Sequence, residues 1–509
     1  MRQLSLKAGG ASSLTDQIVE QTQHLIDTRE LRAGARMPSI RRFAKEHGVS
    51  SFTVVTAYDR LVALGYVSSR RGSGFFVAQR PELAHAPERP SRLDQSLQSL
   101  AALENMPGQK LAFAVPHLMA SIAGKRPASK QSAARVSAMT RSQSWLMPQL
   151  VQRGLRSIAH DADSRLVNYG EPYGHGRLRE FIVGRLAEMN VNASLHGIVT
   201  THGASHGFDL IARYLVRPGD AVLVEDPGYL ILYRHLKLLG ARLVAVPRTP
   251  AGPDPEALEA AIKTHKPRLF FLNTLLQNPT GSSITPAVAH RIVHLAEEHD
   301  LLVVEDDVYC DLADDRAMRL AALDQLRHVI YVGSYSKTVS CNLRVGFIAC
   351  NRELAEELVD IKVLTGLTTC EANERLVHEV LSGGRYRKHV LKLRHALERK
   401  REATLRRLEA CGLEVFCRPS GGIFLWARFP GIADSKPIAQ LAARSGIALV
   451  PGNLFRPTQQ PSPWMRFNAA FCEDPQMFKA LETISRELAC VDDGQAAPRL
   501  QAVPERRAM

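Results

Sequence analysis

The chain is expected to fold as two units of different class: a small helical unit ending in a β-hairpin, then a large α/β unit built on a mainly parallel sheet. Three observations predict this. Between Leu14 and Val77, helix-spaced apolar residues are interrupted at Gly34, Gly48 and Gly65 before the pattern changes to two short strands. From about Leu111 to Cys490, short apolar runs alternate with helical patterns, as strands joined by crossover helices do. The 509 residues also exceed one domain of ordinary size.

In the first unit, Leu14, Ile18 and Leu25 recur at helical spacing toward Leu31, with Ser13 placed as a cap. After Gly34, the pair Pro38-Ser39 opens a second short helix with Ile40, Phe43 and Ala44 on one face, and Gly48 makes a turn. Ser50 caps a third helix whose expected buried stripe is Val54, Tyr58, Leu61 and Val62. Gly65 stops it, and Tyr66-Val67-Ser68 with Gly74-Phe75-Phe76-Val77 form a hairpin around Arg70-Arg71-Gly72-Ser73. Helices followed by a glycine-tipped basic hairpin make a winged helix-turn-helix. Its recognition helix, about Ser51 to Ala63, would enter the major groove of double-stranded DNA by its N-terminal end. Arg41, Arg70 and Arg71 are the candidates for phosphate contact; Ser50, Ser51, Thr53, Thr56 and Gly74 complete the expected DNA face.

The expected divisions are residues 12–78 for this unit, 79–108 for a linker, 109–490 for the α/β unit and 491–509 for a disordered tail. The linker is polar and carries Pro81, Pro87, Pro90 and Pro107, with a helical piece near Leu97-Leu103. A Ser-, Ala-, Lys- and Arg-rich surface insertion is expected from Gly124 to Ala138. An apolar content of 45% is that of a globular protein, and a net charge of +14 favours a polyanionic partner. Arg36, Arg41, Arg42, Lys45, Arg60, Arg70, Arg71 and Arg80 concentrate that charge early. No apolar stretch is long enough to span a bilayer and the N-terminus lacks a signal-peptide core, so no membrane partner and a cytoplasmic location are expected. Eight scattered cysteines without a Cys-x-x-Cys pair point to neither a disulfide framework nor a metal site.

In the large unit, four apolar runs are each followed at once by a polar cluster. Ala221–Val224 leads into Glu225-Asp226-Pro227-Gly228-Tyr229, and Leu269–Leu272 leads to Gln277-Asn278-Pro279-Thr280-Gly281. Leu301–Val304 leads into Glu305-Asp306-Asp307-Val308-Tyr309, and Val329–Val332 into Gly333-Ser334-Tyr335-Ser336-Lys337-Thr338. Ligands of α/β sheets bind at the carboxyl ends of strands, so four such ends suggest one site. A desolvated lysine there loses its proton readily and can attack an aldehyde to form a Schiff base, the linkage that holds pyridoxal 5'-phosphate. The other parts that cofactor needs are present. Asp306 would face the ring nitrogen, Tyr309 and Asn278 the phenolic oxygen, and Tyr229 the ring face. Ala204 and Ser205 at the start of a helix, with Ser334, Ser336 and Arg344, would hold the phosphate.

On these residues the chain resembles the MocR family of pyridoxal-phosphate-dependent transcriptional regulators. Residues 12–78 resemble a GntR-type winged helix domain, on Gly34-Ala35-Arg36-Met37-Pro38-Ser39-Ile40-Arg41, Val49 to Tyr58 and Gly72-Ser73-Gly74-Phe75-Phe76-Val77. Residues 109–490 resemble a fold-type I aminotransferase, on Asn278-Pro279-Thr280-Gly281 and Ser334-x-Ser336-Lys337. The resemblance implies a smaller C-terminal α+β subdomain and a homodimer. It implies Lys337 as the Schiff-base lysine and catalytic group, Asp306 as the ring-nitrogen partner, and Tyr309 and Asn278 as phenolate partners. Tyr169 resembles the tyrosine that reaches a neighbour's phosphate across the dimer, and Arg466 the arginine that clamps an α-carboxylate.

The expected function is a DNA-binding regulator that senses an amine or amino acid by Schiff-base exchange at Lys337; the alternative is a working aminotransferase with an ancillary DNA-binding head. The chain departs from many relatives in one informative place. Ser51-Phe52 stands where Arg followed by Asn is frequent, so Thr53, Thr56 and the wing arginines are expected to do more of the reading.

Overall fold

The computed structural model describes residues 4, 6, 13–28, 30–70, 73–78, 148–160, 168–444, 449–470, 472 and 475–492. The expected linker, the insertion at 124–138, Arg71 and the tail beyond Asp492 lie outside them. The chain divides into two compact units, Met1–Leu93 and Asp94–Met509.

Among the described residues, three helices and a two-stranded hairpin make the first unit. In α1 (Leu14–Asp27), Ser13 Oγ accepts from the N–H of Asp16 at 3.1 Å. The helix ends before Leu31, whose N–H turns back to the carbonyl of Leu25 at 2.8 Å and closes the end of the spiral. Ser39 caps α2 (Ile40–His47), and Gly48 closes it in the left-handed conformation at φ 64°. Ser50 caps α3 (Ser51–Ala63), whose core residues are Val54, Ala57, Tyr58 and Leu61. Val62 is only half-buried because it lies 100° around the helix from Leu61; Ala57, between Val54 and Leu61, takes its place. Strands β1 (Val67–Arg70) and β2 (Gly74–Val77) pair antiparallel, Val67 with Val77 and Arg70 with Gly74. Tyr58 locks the unit, meeting Phe43 and Phe75 edge-on at 5.8 and 5.0 Å and donating to the Pro38 carbonyl at 3.1 Å.

The second unit is built on an eight-stranded sheet in the order β3-β10-β9-β8-β7-β4-β5-β6. These are β3 (Ile198–Thr201), β4 (Ala221–Asp226), β5 (Arg242–Thr249), β6 (Gly252–Pro253), β7 (Leu269–Leu272), β8 (Leu302–Asp306), β9 (Val329–Ser334) and β10 (Gly346–Ala349). Strands β9, β8, β7, β4 and β5 are successively parallel; β10 runs antiparallel to both β9 and β3, so β3 shares their direction. The runs are apolar throughout because both faces are covered. Phe270 and Leu272 enter one core with Ile292 and Leu295, and Leu269 and Phe271 enter the other with Phe208 and Leu236. Helices such as Ala204–Leu215 and Pro286–His299 supply the two covers.

The long helix Arg385–Ala410 leads to a smaller α+β layer. Its strands are β11 (Glu414–Val415), β12 (Phe424–Arg428), β13 (Val450–Pro451) and β14 (Trp464–Asn468), antiparallel in the order β11-β12-β14-β13. Lys436–Arg444 and Pro475–Asp492 are its helices.

Candidate functional site

The carboxyl ends of β3, β9, β8, β7 and β4 deliver the expected polar residues to one place. Lys337 lies three residues past β9, in a turn pinned from below. Thr338 Oγ1 donates to Asp311 at 3.2 Å, and Tyr386 from the long helix donates to Thr338 Oγ1 at 2.7 Å. Burial pushes the Lys337 ammonium down to about 8 against the opposing charge of Asp306, with Arg466 and Arg344 adding to the depression. Its Nζ lies 5.9 Å from the ring centroid of Tyr309. Asp306 ends β8, and burial pushes its carboxyl up to about 7; the Val308 N–H at 3.2 Å and the charge of Lys337 oppose that rise. Two groups of opposite type thus titrate near neutrality side by side.

An anion cradle lies at the end of β3. The helix Ala204–Leu215 begins after Gly203, at φ 74°, where a Cβ would stand 2.5 Å from Arg344 Nη2. Arg344 donates to the His202 carbonyl at 3.2 Å and to Ser336 Oγ at 3.3 Å, and Ser334 Oγ donates to Ser336 Oγ at 3.0 Å. Ala204, Ser205, Ser334, Ser336 and Arg344 therefore gather at the N-terminal end of this helix.

On the other side, Arg466 sits mid-strand on β14, 8% exposed, its guanidinium 4.5 Å from the Phe424 ring and 4.9 Å from the Phe455 ring. It donates to Asn278 Oδ1 at 2.8 Å. Burial lowers its guanidinium to about 10. Tyr229 leads the helix Leu230–Leu238, hydrogen-bonded to Ser205 and close enough to Asp306, Arg344 and Arg466 to feel their charges. Tyr309 is buried and meets Phe424 edge-on at 5.9 Å. Tyr169 is the exception: it stands 81% exposed.

Several supporting residues escaped the sequence reading. Asn273, one residue past β7, accepts from the Asn278 N–H at 3.0 Å and donates to the Asp306 carbonyl at 2.5 Å, tying two strand ends together. Glu225 pairs with Arg248 in full burial and accepts from the Asn273 N–H at 2.9 Å. Asp307 is held by Arg319 at 2.6 Å and by the Tyr331 hydroxyl at 2.8 Å. Asn273 had a signal in its place directly after an apolar run; Arg248 and Arg319 had none.

In the first unit, Arg41, Ser51 and Thr56 are exposed, and Gly74 opens β2 at φ 98°. Arg70 closes β1 with its guanidinium 4.7 Å from the Phe76 centroid. Three of the hydroxyls expected on the DNA face, those of Ser50, Thr53 and Thr56, are engaged locally. Ser50 Oγ accepts from the Thr53 N–H and lies 2.7 Å from Thr53 Oγ1, while Thr56 Oγ1 donates to the Phe52 carbonyl at 3.0 Å. Phe52 itself, not counted among the DNA-contacting residues from the sequence, is 80% exposed.

Residues 137–484 match the family described as "Aminotransferase class I and II", and residues 14–77 match "Bacterial regulatory proteins, gntR family". The HTH-type transcriptional regulator YdfD of Bacillus subtilis is 26% identical over 472 residues, 91% of this chain and 94% of that protein. The 2-aminoadipate transaminase of Thermus thermophilus is 34% identical over 298 residues, 57% of this chain and 73% of that one. The crystal structure of LysN, the α-aminoadipate aminotransferase of Thermus thermophilus complexed with N-(5'-phosphopyridoxyl)-L-leucine, superposes with a TM-score of 0.65 at 25% identity. It covers 77% of this chain and 97% of its own.

Proposed function

The chain belongs to the aminotransferase class I and II family and joins it to a gntR-type DNA-binding head, and on that premise we propose that the larger unit is the sensor of a transcription regulator. It holds pyridoxal 5'-phosphate at Lys337 and responds to an amine or amino acid. The observation that carries this reading is the placement of Lys337 and Asp306, both displaced toward neutrality, between an anion cradle and a buried arginine.

The residues present fit that cofactor. When bound, it supplies an aldehyde for an amine to add to and a ring that withdraws electrons. Lys337 is the resident amine, and once displaced its Nζ holds or moves a proton. Asp306 would face the ring nitrogen, where a cation against its oxygens favours the carboxylate and opposes the rise that burial causes. Tyr309 and Asn278 would hold the phenolic oxygen, and Tyr229, hydrogen-bonded to Ser205, would cover the ring. Ala204, Ser205, Ser334, Ser336 and Arg344 take the phosphate. In a homodimer, the exposed Tyr169 reaches the phosphate of the partner subunit. Arg466 takes the effector's carboxylate, giving up its bond to Asn278 as it does so. Freed Lys337 and occupied Arg466 are the differential interactions through which an effector shifts DNA affinity.

A working aminotransferase is the second reading, favoured by the complete set of residues around Lys337 and by the likeness to 2-aminoadipate transaminase. The test begins with the visible spectrum of protein incubated with pyridoxal phosphate and desalted, wild type against Lys337→Ala. A retained yellow band only in wild type supports the cofactor site; no band in either refutes it. Amines are then titrated while DNA affinity and amino transfer to an oxo-acid are followed. A change in DNA affinity without turnover supports the sensor, and turnover without a change supports the enzyme.

A further inference from the structure

The outward chemistry of the recognition helix differs from what its sequence suggests. Phe52, Val55 and Thr56 stand at i, i+3 and i+4, on the face opposite the core residues Val54, Ala57, Tyr58 and Leu61. Phe52 is 80% exposed and Val55 36%, in a unit where the rings of Phe43, Tyr58 and Phe75 pack together. Two hydroxyls that would read base edges are engaged locally: Thr53 Oγ1 lies against Ser50 Oγ, and Thr56 Oγ1 donates to the Phe52 carbonyl. The exposed residues of the first two turns are Ser51, the Phe52 phenyl ring, the Val55 isopropyl group and Thr56, bounded one turn on by exposed Asp59.

An exposed ring at the leading end of a helix is stabilised by leaving water, and here the surroundings say what would cover it. Exposed Arg41 and Lys45 on α2 and Arg70 on the wing are cations suited to a phosphate backbone, not to a second apolar protein surface. A helix entering the major groove by its N-terminus meets one apolar feature on the base edges, the 5-methyl group of thymine. We propose that Phe52, Val55 and the Thr56 methyl form a thymine-methyl reading surface, and that the operator of this protein carries thymines where the N-terminal turns of α3 touch the groove. The inference rests on the DNA-binding reading of the head.

The test uses the full-length protein and a duplex chosen by selection from a randomised pool. Each thymine is replaced singly by uracil, which removes the methyl and keeps every hydrogen-bonding group. Burial of a methyl at about 0.8 kcal/mol predicts roughly fourfold weaker binding at each contacted position. In Phe52→Asn the uracil and thymine duplexes should bind alike at the position beneath residue 52, while the salt dependence of binding stays as in wild type. Binding that ignores uracil at all positions, or a Phe52→Asn protein that keeps the wild-type methyl dependence, overturns the proposal. So does a change of oligomeric state in Phe52→Asn with methyl dependence intact, which would assign the ring to a protein contact. Absence of salt-dependent binding to any duplex would instead refute DNA binding by the head, and the inference with it.

Discussion

A lysine near 8 beside a carboxyl near 7 makes the site's reactivity a function of pH with a definite sign. The neutral amine is the nucleophile, so capture of pyridoxal phosphate by the apo protein should accelerate as pH rises from 7 to 9, with its midpoint close to the value of about 8 set by burial of Lys337. The charge of Asp306 holds that value up, so Asp306→Asn should move the midpoint to lower pH; stopped-flow absorbance reads both, and a midpoint near that of free lysine would remove the argument. Arg466 makes a second prediction at this scale. Its charge-assisted bonds to a carboxylate are worth roughly 10- to 100-fold in affinity. Arg466→Gln should lose that factor for an amino acid and leave an amine without a carboxylate unaffected, as judged by spectral titration. Lys337 and Asp306 were legible in the sequence because each follows an apolar run and stands in a motif of fixed spacing. Arg248, 23 residues from Glu225, and Arg319, 12 from Asp307, were not, because only the fold says which acid each one neutralises.

At the scale of elements, caps and strand ends carry the arrangement. The Ser50 side chain closes α3 by accepting from Thr53, and removing such a cap costs about 1 kcal/mol. Ser50→Ala should therefore lower the melting temperature of the first unit by roughly 4–8 °C, the shift expected for a domain of this size, with the transition of the larger unit unchanged in calorimetry. Gly203 is the corresponding element boundary in the larger unit. A side chain there meets both a positive φ and the Arg344 guanidinium, so Gly203→Ala should disturb the cradle first. The expected result is weaker retention of pyridoxal phosphate on desalting, while pyridoxal without its phosphate is captured as in wild type. Element positions were largely legible: α3 runs from Ser51 to Ala63 as its capping serine and stopping glycine implied. Val62, expected in the buried stripe, packs against the core only half-buried, because the angle around the helix decides how deeply a side chain enters it.

At the scale of the whole molecule, Tyr169 decides whether the site belongs to one chain. A tyrosine 81% exposed contributes nothing to the cradle of its own subunit, whose Ser334, Ser336 and Arg344 are already bonded to one another. If it completes the cradle of a neighbour, Lys337→Ala and Tyr169→Phe are complementary defects. In a mixed dimer, one site carries both defects and the other carries neither. Differently tagged chains, one variant each, should be co-purified as the mixed species, loaded with pyridoxal phosphate and desalted. Half the wild-type absorbance per dimer, retained as tightly as in wild type, is the expected outcome. The Lys337→Ala homodimer should show no band, and the Tyr169→Phe homodimer a band that washes out faster. If the mixed dimer instead loses its band at the rate of Tyr169→Phe, each subunit uses its own tyrosine or none, and the shared site fails. The same preparation also carries a consequence for DNA. Two heads joined through one dimer bind at high effective concentration, so a duplex with two half-sites should be bound far more tightly than one with a single half-site. That gain comes from joining two heads, so it should persist in the mixed dimer whatever change in the affinity of a single head Lys337→Ala brings.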